Sequence, residues 1–349
     1  MECMKKPVLS VIVAIYNVDK YLAKCLDALI NQTLSDIEII CVNDGATDGS
    51  ANILKKYAEQ DYRIKIINQK NKGLAGARNT GLRHARTSLV MFCDGDDYYD
   101  LTMCEEMYQA ISENDVDMAI CGIKNIYQTK YNTRLEDEEY FRIKFTGKQD
   151  ISENVVLKTD VSACNKIFKK EIIDNNKLQF PEGLRHEDNY FFLTYTSVSN
   201  TIFFLNKCLY NYVRRDDSIM SNTFKGAGYP TEHLLIAEKY FDFLVEHNIF
   251  SKYQKLFWKT FILFYDFAYR YAPNGACRKQ IRNQADNFIR KNASALSGTP
   301  PSLVRQVRKL TSSTHFIAKG TKNLVRKTIL KISPSLLSRI KSLLRRNKT

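Results

Sequence analysis

Apolar and polar positions alternate along the chain in two rhythms. Residues 8–15 form a β-branched run, and residues 19–31 place Tyr21, Leu22, Cys25, Leu26 and Leu29 at helical spacing. The same alternation continues with a strand over 37–42, a helix starting at Asp48 and running to about residue 60, and a strand over 64–67. A helix is expected over 74–85, a strand over 88–92, a helix over 101–113 and a strand over 118–121. Strands alternating with helices predict parallel βαβ units with right-handed crossovers. From 122 to 150 the pattern becomes polar and predicts a hairpin or loop. Residues 151–224 read as mixed helix and strand, with strands at 201–205 and 208–213. Three helices are expected from 228 to about 291. Within 240–271 the 13 aromatic residues recur at positions such as Phe257, Phe261 and Phe264, which is the spacing of a helical core.

Length and composition narrow the class. The 349 residues are 44% hydrophobic and 26% charged, an ordinary globular mixture long enough for one large domain or two modest ones. The first apolar run is too short for a signal peptide and lacks a cleavage region. The best candidate membrane span, residues 256–271, carries Lys259, Asp266 and Arg270, so no transmembrane helix is expected. Nine cysteines, an odd number with no CxxC pair, suggest buried free thiols in a reducing compartment.

Charge divides the chain sharply. Residues 287–349 hold 15 Lys or Arg and no Asp or Glu, whereas the remaining residues hold 37 basic against 38 acidic. The net charge of +14 therefore lies in the tail, and a nucleic-acid-binding body is not expected. Three short apolar stripes run through the tail: Leu303, Val304, Val307 and Leu310; Val325, Ile329 and Ile332; then Leu336, Ile340, Leu343 and Leu344. Basic residues fill the other faces, the pattern of helices that lie on an anionic bilayer. The alternatives are a solvated tail and a nucleic-acid-binding one.

The candidate chemistry sits where predicted strands end. The strand over 88–92 runs into Cys93-Asp94-Gly95-Asp96-Asp97, three carboxylates within four residues. Their mutual repulsion is relieved by a hard divalent cation. In open α/β sheets, ligands bind beyond the carboxyl ends of the strands. The strand over 37–42 likewise ends in Asn43-Asp44-Gly45, with Asp44 free to accept a hydrogen bond from a base or ribose while Asp48 caps the following helix. Asn71-Lys72-Gly73 to Gly81 has three glycines but no phosphate-loop spacing, and Arg78 would project a bidentate donor from that helix.

Taken together, Ser10 to Asn17, Val42 to Ser50, Asn71-Lys72-Gly73 with Ala77-Arg78-Asn79-Thr80-Gly81, and Asp94-Gly95-Asp96-Asp97 resemble the family 2 glycosyltransferases. Asn165-Lys166-Ile167-Phe168, Glu187-Asp188, Tyr212-Val213-Arg214-Arg215 and Ser218-Ile219 extend the resemblance to about residue 221. Ala46 and Gly95 depart from the commoner residues without removing a group given a role. The resemblance implies an α/β GT-A fold, a Rossmann-like, mainly parallel sheet flanked by helices, followed by a helical C-terminal region and the basic amphipathic tail. It divides the chain into a nucleotide-sugar-binding half (1–122), an acceptor and catalytic half (123–227), a helical region (228–291) and a membrane-associating tail (292–349).

Residue by residue, the resemblance implies that Asp44 binds the nucleobase, with Ala14 and Tyr16 shaping the pocket and Arg78 assisting. Asp94 would contact the ribose or a metal-bound water, and Asp96 would ligate Mn²⁺ or Mg²⁺. Lys166 joins the donor-binding set, and Arg214 and Arg215 would close over the diphosphate. Asp188, paired with Glu187, would be the general base; without the other motifs, the two acids would read as favourable charge at a helix start. The activity implied is metal-dependent, inverting transfer of one sugar from a UDP-linked donor to a lipid-linked or cell-surface glycan, at the cytoplasmic face of the membrane. Gln254-Lys255-Leu256-Phe257-Trp258 matches the ends of a processive motif but carries Phe257 in place of its arginine, and reads as chance. The rival readings are a sugar-nucleotide pyrophosphorylase, for which residues 8–17 lack the glycine-rich signature, and a non-catalytic membrane-attached scaffold.

Overall fold

The computed structural model describes residues 6–127, 138–141, 144–214 and 231–310. They fall into two compact units, one of residues 6–139 and 144–214, the other of 140–141 and 231–310.

The first unit begins β1 (Leu9–Ile15), α1 (Asp19–Ile30), β2 (Ile37–Asn43), α2 (Ser50–Gln60), β3 (Ile64–Asn68), α3 (Gly73–His84) and β4 (Leu89–Asp94). These four strands pair in parallel in the order β3, β2, β1, β4. Every residue of β1 and β2 is buried, as expected of parallel strands covered on both faces. The chain winds outward from β1 to β3 and then returns to β1's other side as β4. That reversal opens a crevice at the carboxyl ends of β1 and β4, where Ala14 lies opposite Asp94.

The sheet continues through β5 (Tyr98–Tyr99), α4 (Met103–Asn114), β6 (Met118–Tyr127), β7 (Glu138–Phe141) and β8 (Gly147–Asp150). Next come α5 (Glu153–Lys158), β9 (Lys166–Lys169), α6 (Lys170–Asn175), α7 (Glu187–Ser197) and β10 (Thr201–Arg214). β9 is antiparallel to both β4 and β6, whereas β10 runs parallel to β6. The two halves expected from sequence thus share a single sheet.

Two differences from the sequence reading have local causes. β6 runs on to Tyr127 where a polar loop is expected, because β10 supplies a full partner and the buried Asn125 accepts a bond from Arg214 Nε at 2.7 Å. The two strands expected at 201–213 are one, β10, with register shifts between Phe204 and Tyr210. Gly122 makes that irregularity possible, since a Cβ there would lie 2.5 Å from Cys208 Sγ.

Helix starts are tied together by side chains. The carboxylate of Asp48 accepts from Ser50 N, at the first residue of α2, and from Asp19 N, at the first residue of α1, both at 3.0 Å. Beneath the sheet, buried Glu38 accepts from Ser10 Oγ (2.7 Å), Arg86 N (2.8 Å) and Lys65 Nζ (2.5 Å), so the one carboxylate inside β2 is fully paired. All eight cysteines among the described residues are free, six of them buried.

The second unit contains α8 (Glu232–Glu246), α9 (Phe250–Tyr271), α10 (Gly275–Lys291) and α11 (Pro301–Lys309). The aromatic stripe is core: Phe257, Trp258 and Phe261 are fully buried, and Phe261 stacks on Phe288 at 5.2 Å. Gln254 and Trp258, the ends of the chance motif, hold the turn after α10, donating to the Ala295 carbonyl at 2.7 and 3.2 Å.

The tail boundary expected at residue 292 moves. Leu303, Val307 and Leu310 are buried, and Tyr265 Oη donates to the Leu310 carbonyl at 3.1 Å. The first apolar stripe of the tail is therefore internal to the helical unit, where it packs against α9. The second and third stripes lie outside the described residues. Among the described residues, no helix is long and apolar enough to cross a membrane.

Gly81 brings α3 down onto β1, where an added Cβ would meet Ile12 Cγ2 at 2.1 Å. Gly81→Ala should therefore destabilise the protein by about 1–3 kcal/mol, the usual cost of overpacking. Its gain in helix propensity is smaller, about 1 kcal/mol. Urea unfolding checks this, and a more stable variant would show that the contact is slack.

Candidate active site

Four segments deliver the site to the carboxyl edge of the sheet. After β1, Asp44 N bonds the Ile15 carbonyl at 2.9 Å, and Gly95 N bonds the Ala14 carbonyl at 3.0 Å. The loops leaving β2 and β4 are thus pinned to the end of β1. Gly45 has φ +73°, and a Cβ there would press on Asn71 N at 3.0 Å, so the exit from β2 demands glycine. Ala14 is buried and Tyr16 is half exposed at the crevice mouth.

Asp44 is buried, and its Oδ1 accepts from Gln69 Nε2 at 2.6 Å and from Lys72 N at 2.9 Å. Gln69 is in turn held by Thr80 Oγ1 at 2.6 Å. Both bonds fall on one oxygen of Asp44, which leaves its other oxygen as the acceptor for a ligand. Sequence reasoning missed Gln69, which stands between β3 and the glycine segment with no motif of its own.

The three carboxylates of the acidic turn take three separate roles. Asp97 turns inward, 1% exposed, accepting from Tyr210 Oη at 2.5 Å and Val213 N at 2.7 Å. Burial, together with the charges of Asp96 and Asp94, holds its carboxyl well above the usual range. Asp97 is therefore the clasp between the acidic turn and β10. Asp94 faces Arg78 and retains a side chain 26% exposed. Asp96 is partly exposed.

Arg78 is where the structure departs most from the sequence reading. It is buried on α3, 1% exposed, and does not open toward a base pocket. Its Nη2 donates to Asp94 Oδ1 at 2.8 Å and to Cys164 Sγ at 3.5 Å. Its Nη1 donates to Glu187 Oε1 at 2.8 Å and to Asp188 Oδ1. The guanidinium also lies over the Phe180 ring, 5.3 Å from its centroid.

Glu187 and Asp188 open α7, after His186 with φ +61°. Asn79, one turn position from Arg78 on α3, clamps the approach to that helix: it donates to the Phe180 carbonyl at 2.8 Å and accepts from Phe180 N at 2.9 Å. Phe180 then stacks on Phe191 of α7, with ring centroids 4.1 Å apart. The second oxygen of Asp188 accepts from Ala163 N at 3.4 Å. Burial and the neighbouring Asp188 charge raise the Glu187 pKa to about 8. Burial also raises that of Asp188, against the opposing charge of Arg78.

The remaining expected residues divide. Lys166 is fully buried, donating to the Ser162 carbonyl at 2.5 Å and to Asn165 Oδ1 at 2.9 Å, and burial lowers its pKa to about 8. It braces the 162–165 loop and is not placed to meet a donor, a correction to the sequence expectation. Arg214 ends β10, one residue beyond the Val213 amide that holds Asp97, and lies 4.4 Å from the Tyr212 ring centroid. Arg215 lies outside the described residues.

The carboxylates can accommodate a divalent cation under one condition. Among the described residues, no three His, Cys, Asp or Glu side chains are grouped to hold a metal by themselves. Asp97 is engaged elsewhere, which leaves Asp94 and Asp96. One or two carboxylates with phosphate oxygens completing the shell is the usual manner of binding Mg²⁺, so this donor set fits a cation that arrives with a diphosphate.

Comparison with known proteins gives the family and the fold. The family model for glycosyl transferase family 2 matches residues 10–176. Putative glycosyltransferase EpsH of Bacillus subtilis is 31% identical over 265 residues, covering 72% of this chain and 73% of EpsH. Glycosyltransferase GlyA of Streptococcus pneumoniae is 36% identical over 218 residues, covering 60% of this chain; the matched part is only 31% of GlyA's length. In fold, the crystal structure of S. aureus TarS 1–349 in complex with UDP-GlcNAc has a TM-score of 0.67 at 21% identity, covering 87% of this chain and 88% of that one. The mixed, mainly parallel sheet flanked by helices, together with these matches, is an α/β fold of the GT-A class. The chain belongs to glycosyl transferase family 2 and is a glycosyltransferase, which removes the pyrophosphorylase reading.

The raised pKa of Glu187 has a consequence for stability. Its folded value of about 8 lies above the ordinary 4.5, so the native state holds an extra proton between those limits. The resulting contribution is complete below pH 4.5 and is lost as pH rises through about 8. Glu187→Gln removes the titration. Its unfolding free energy, relative to the natural protein, should therefore rise between pH 5 and pH 9, and a flat difference would show that Glu187 titrates normally.

Proposed function

We propose that this enzyme moves a single sugar, with inversion, from a UDP-linked donor to a hydroxyl of a lipid-linked or cell-surface glycan. The observation that carries the reading is the disposition of Asp188. Its two oxygens are held by Arg78 and Ala163 N, while its side chain remains 21% exposed. A carboxylate fixed in direction yet open on one side is what a general base requires. Glu187, beside it, has its pKa raised to about 8 and stays protonated near neutral pH, while the charge of Arg78 opposes protonation of Asp188. The likeness in fold to TarS, solved with UDP-GlcNAc, supports a UDP-linked donor.

In this reading Asp44 takes the nucleobase with its free oxygen, and Ala14 and Tyr16 wall the base pocket. Asp96, with Asp94 beside it, would hold Mn²⁺ or Mg²⁺, which supplies positive charge against the departing diphosphate. Arg214, at the end of β10, adds positive charge; Arg215 lies outside the described residues. Asp188 takes the proton of the attacking hydroxyl as that oxygen bonds the anomeric carbon and the diphosphate leaves from the opposite side. Retention of Asp44, Asp94, Asp96 and Asp188 together argues against a non-catalytic scaffold.

The localisation proposed is the cytoplasmic face of a membrane. Support comes from residues 311–349, which carry ten Lys or Arg, no acid, and the second and third apolar stripes.

Asp188→Asn should leave UDP binding in place while transfer falls by about 10²–10⁴-fold, the usual loss of a general base. Asp44→Ala should instead weaken UDP binding, and chelator should stop turnover until Mn²⁺ or Mg²⁺ is restored. Calorimetry and UDP-release assays separate these, and a wild-type rate in Asp188→Asn would remove the base assignment. Separately, deletion of residues 311–349 should abolish salt-sensitive binding to anionic vesicles without slowing donor hydrolysis. Equal vesicle binding by the shortened protein would disprove the membrane role.

A further inference from the structure

Family membership and the site described so far leave Arg78 without a function consistent with its position. It is a cation on the helix nearest the nucleotide crevice, yet both terminal nitrogens are spent on protein groups. Nη1 bridges the two carboxylates that open α7, and Nη2 reaches Asp94 at the end of β4. Its Nε is buried and has no hydrogen-bond partner among the described residues. The orientation of the guanidinium is therefore set by the carboxylates it meets.

We infer that Arg78 is a positioning residue for the general base: it fixes the direction of the Asp188 carboxylate and does not bind the nucleotide. The inference rests on the proposed role of Asp188. Three observations support it. First, a diphosphate could reach the guanidinium only by displacing Asp94, Glu187 or Asp188 from a site that is almost wholly closed to solvent. Second, α3 is rigidly placed, with Gly81 seated on Ile12 and Asn79 bonded at both ends of its amide to Phe180. The guanidinium therefore reaches α7 from a fixed base. Third, the other oxygen of Asp188 meets only a backbone amide at 3.4 Å, a weak restraint that leaves Arg78 as the principal one.

The geometry also explains why the residue is arginine. One planar group has to satisfy carboxylates on two elements at once, with Nη1 serving α7 and Nη2 serving β4. An ammonium carries the same charge on a single nitrogen and cannot reproduce that fork. Lysine at this position should keep part of the electrostatic effect and lose the alignment.

The test is a cycle of Arg78→Lys, Arg78→Gln and Asp188→Asn, singly and with each Arg78 variant combined with Asp188→Asn. The readouts are UDP release from donor, kcat and donor KM separately, and circular dichroism for folding. Misplacing the base by an ångström costs on the order of 10²-fold, so Arg78→Lys should lower kcat by about that factor with donor KM little changed. Arg78→Gln should fall further, toward the rate of Asp188→Asn. Each double variant should be no slower than Asp188→Asn alone, because a residue acting only through the base has nothing left to position. Should Arg78→Gln fail to fold, Arg78→Lys carries the test, since it keeps the buried charge. Additive losses in the double variants, or a loss expressed mainly in donor KM, would overturn the inference. A wild-type rate in Asp188→Asn would overturn the base assignment, and that outcome is recognised without reference to Arg78.

Discussion

A single buried guanidinium organises this active site. Arg78 meets Asp94, Glu187 and Asp188, and among the described residues no other cation forms an ion pair with them. Charges removed from water cost several kcal/mol each unless paired, and deleting one partner of a buried pair commonly costs about 3–5 kcal/mol. With three carboxylates around one guanidinium, pairing alone does not neutralise the cluster. A proton on Glu187, whose pKa burial and the Asp188 charge raise to about 8, lessens that imbalance near neutral pH without removing it. Helix α3, the end of strand β4 and the start of helix α7 are therefore joined at one side chain.

The sheet supplies the frame within which that interaction works. β4 lies against β1 on the side opposite β2, so the exits of β1, β2 and β4 converge on one crevice. Asp44 stands at one end of it and Asp94 at the other, and both loops are pinned to β1 by backbone hydrogen bonds. Helix α7, which carries Glu187 and the proposed base Asp188, reaches the crevice from the second half of the sheet. Asn79 and the Phe180–Phe191 stack fix its approach. The carboxylates at the end of β4 and the start of α7 thus come from distant parts of the chain, and Arg78 is the point at which they meet.

Much of this was legible in the sequence, and the rest was not, for physical reasons. The parallel half of the sheet followed from β-branched runs alternating with helical spacing, because strands buried on both faces leave that mark. Asp44 and Asp94 stand out in the sequence because they end strands, whereas Asp188 is singled out only through the resemblance, its place at a helix start favouring the plainer reading. The side chains that orient them carry no such mark. Gln69, Ala163 and Tyr210 act through contacts between segments 11 to 113 residues apart. Arg78 and Lys166 enter the donor-binding set through the resemblance. Only their burial shows that one holds carboxylates and the other braces a loop. The stripe Leu303, Val307, Leu310 has the same periodicity whether it covers a lipid surface or helix α9, and tertiary packing decides between them.

A single displacement driven by one fixed base has a stereochemical signature that needs no knowledge of the acceptor. When water takes the acceptor's place, the sugar released from an α-linked UDP donor should appear first as the β anomer. Proton NMR of the anomeric signal, recorded before mutarotation, reads that first-formed product directly. The β anomer is the result expected of Asp188 acting as base across the anomeric carbon from the diphosphate. An α anomer as the first product would contradict it.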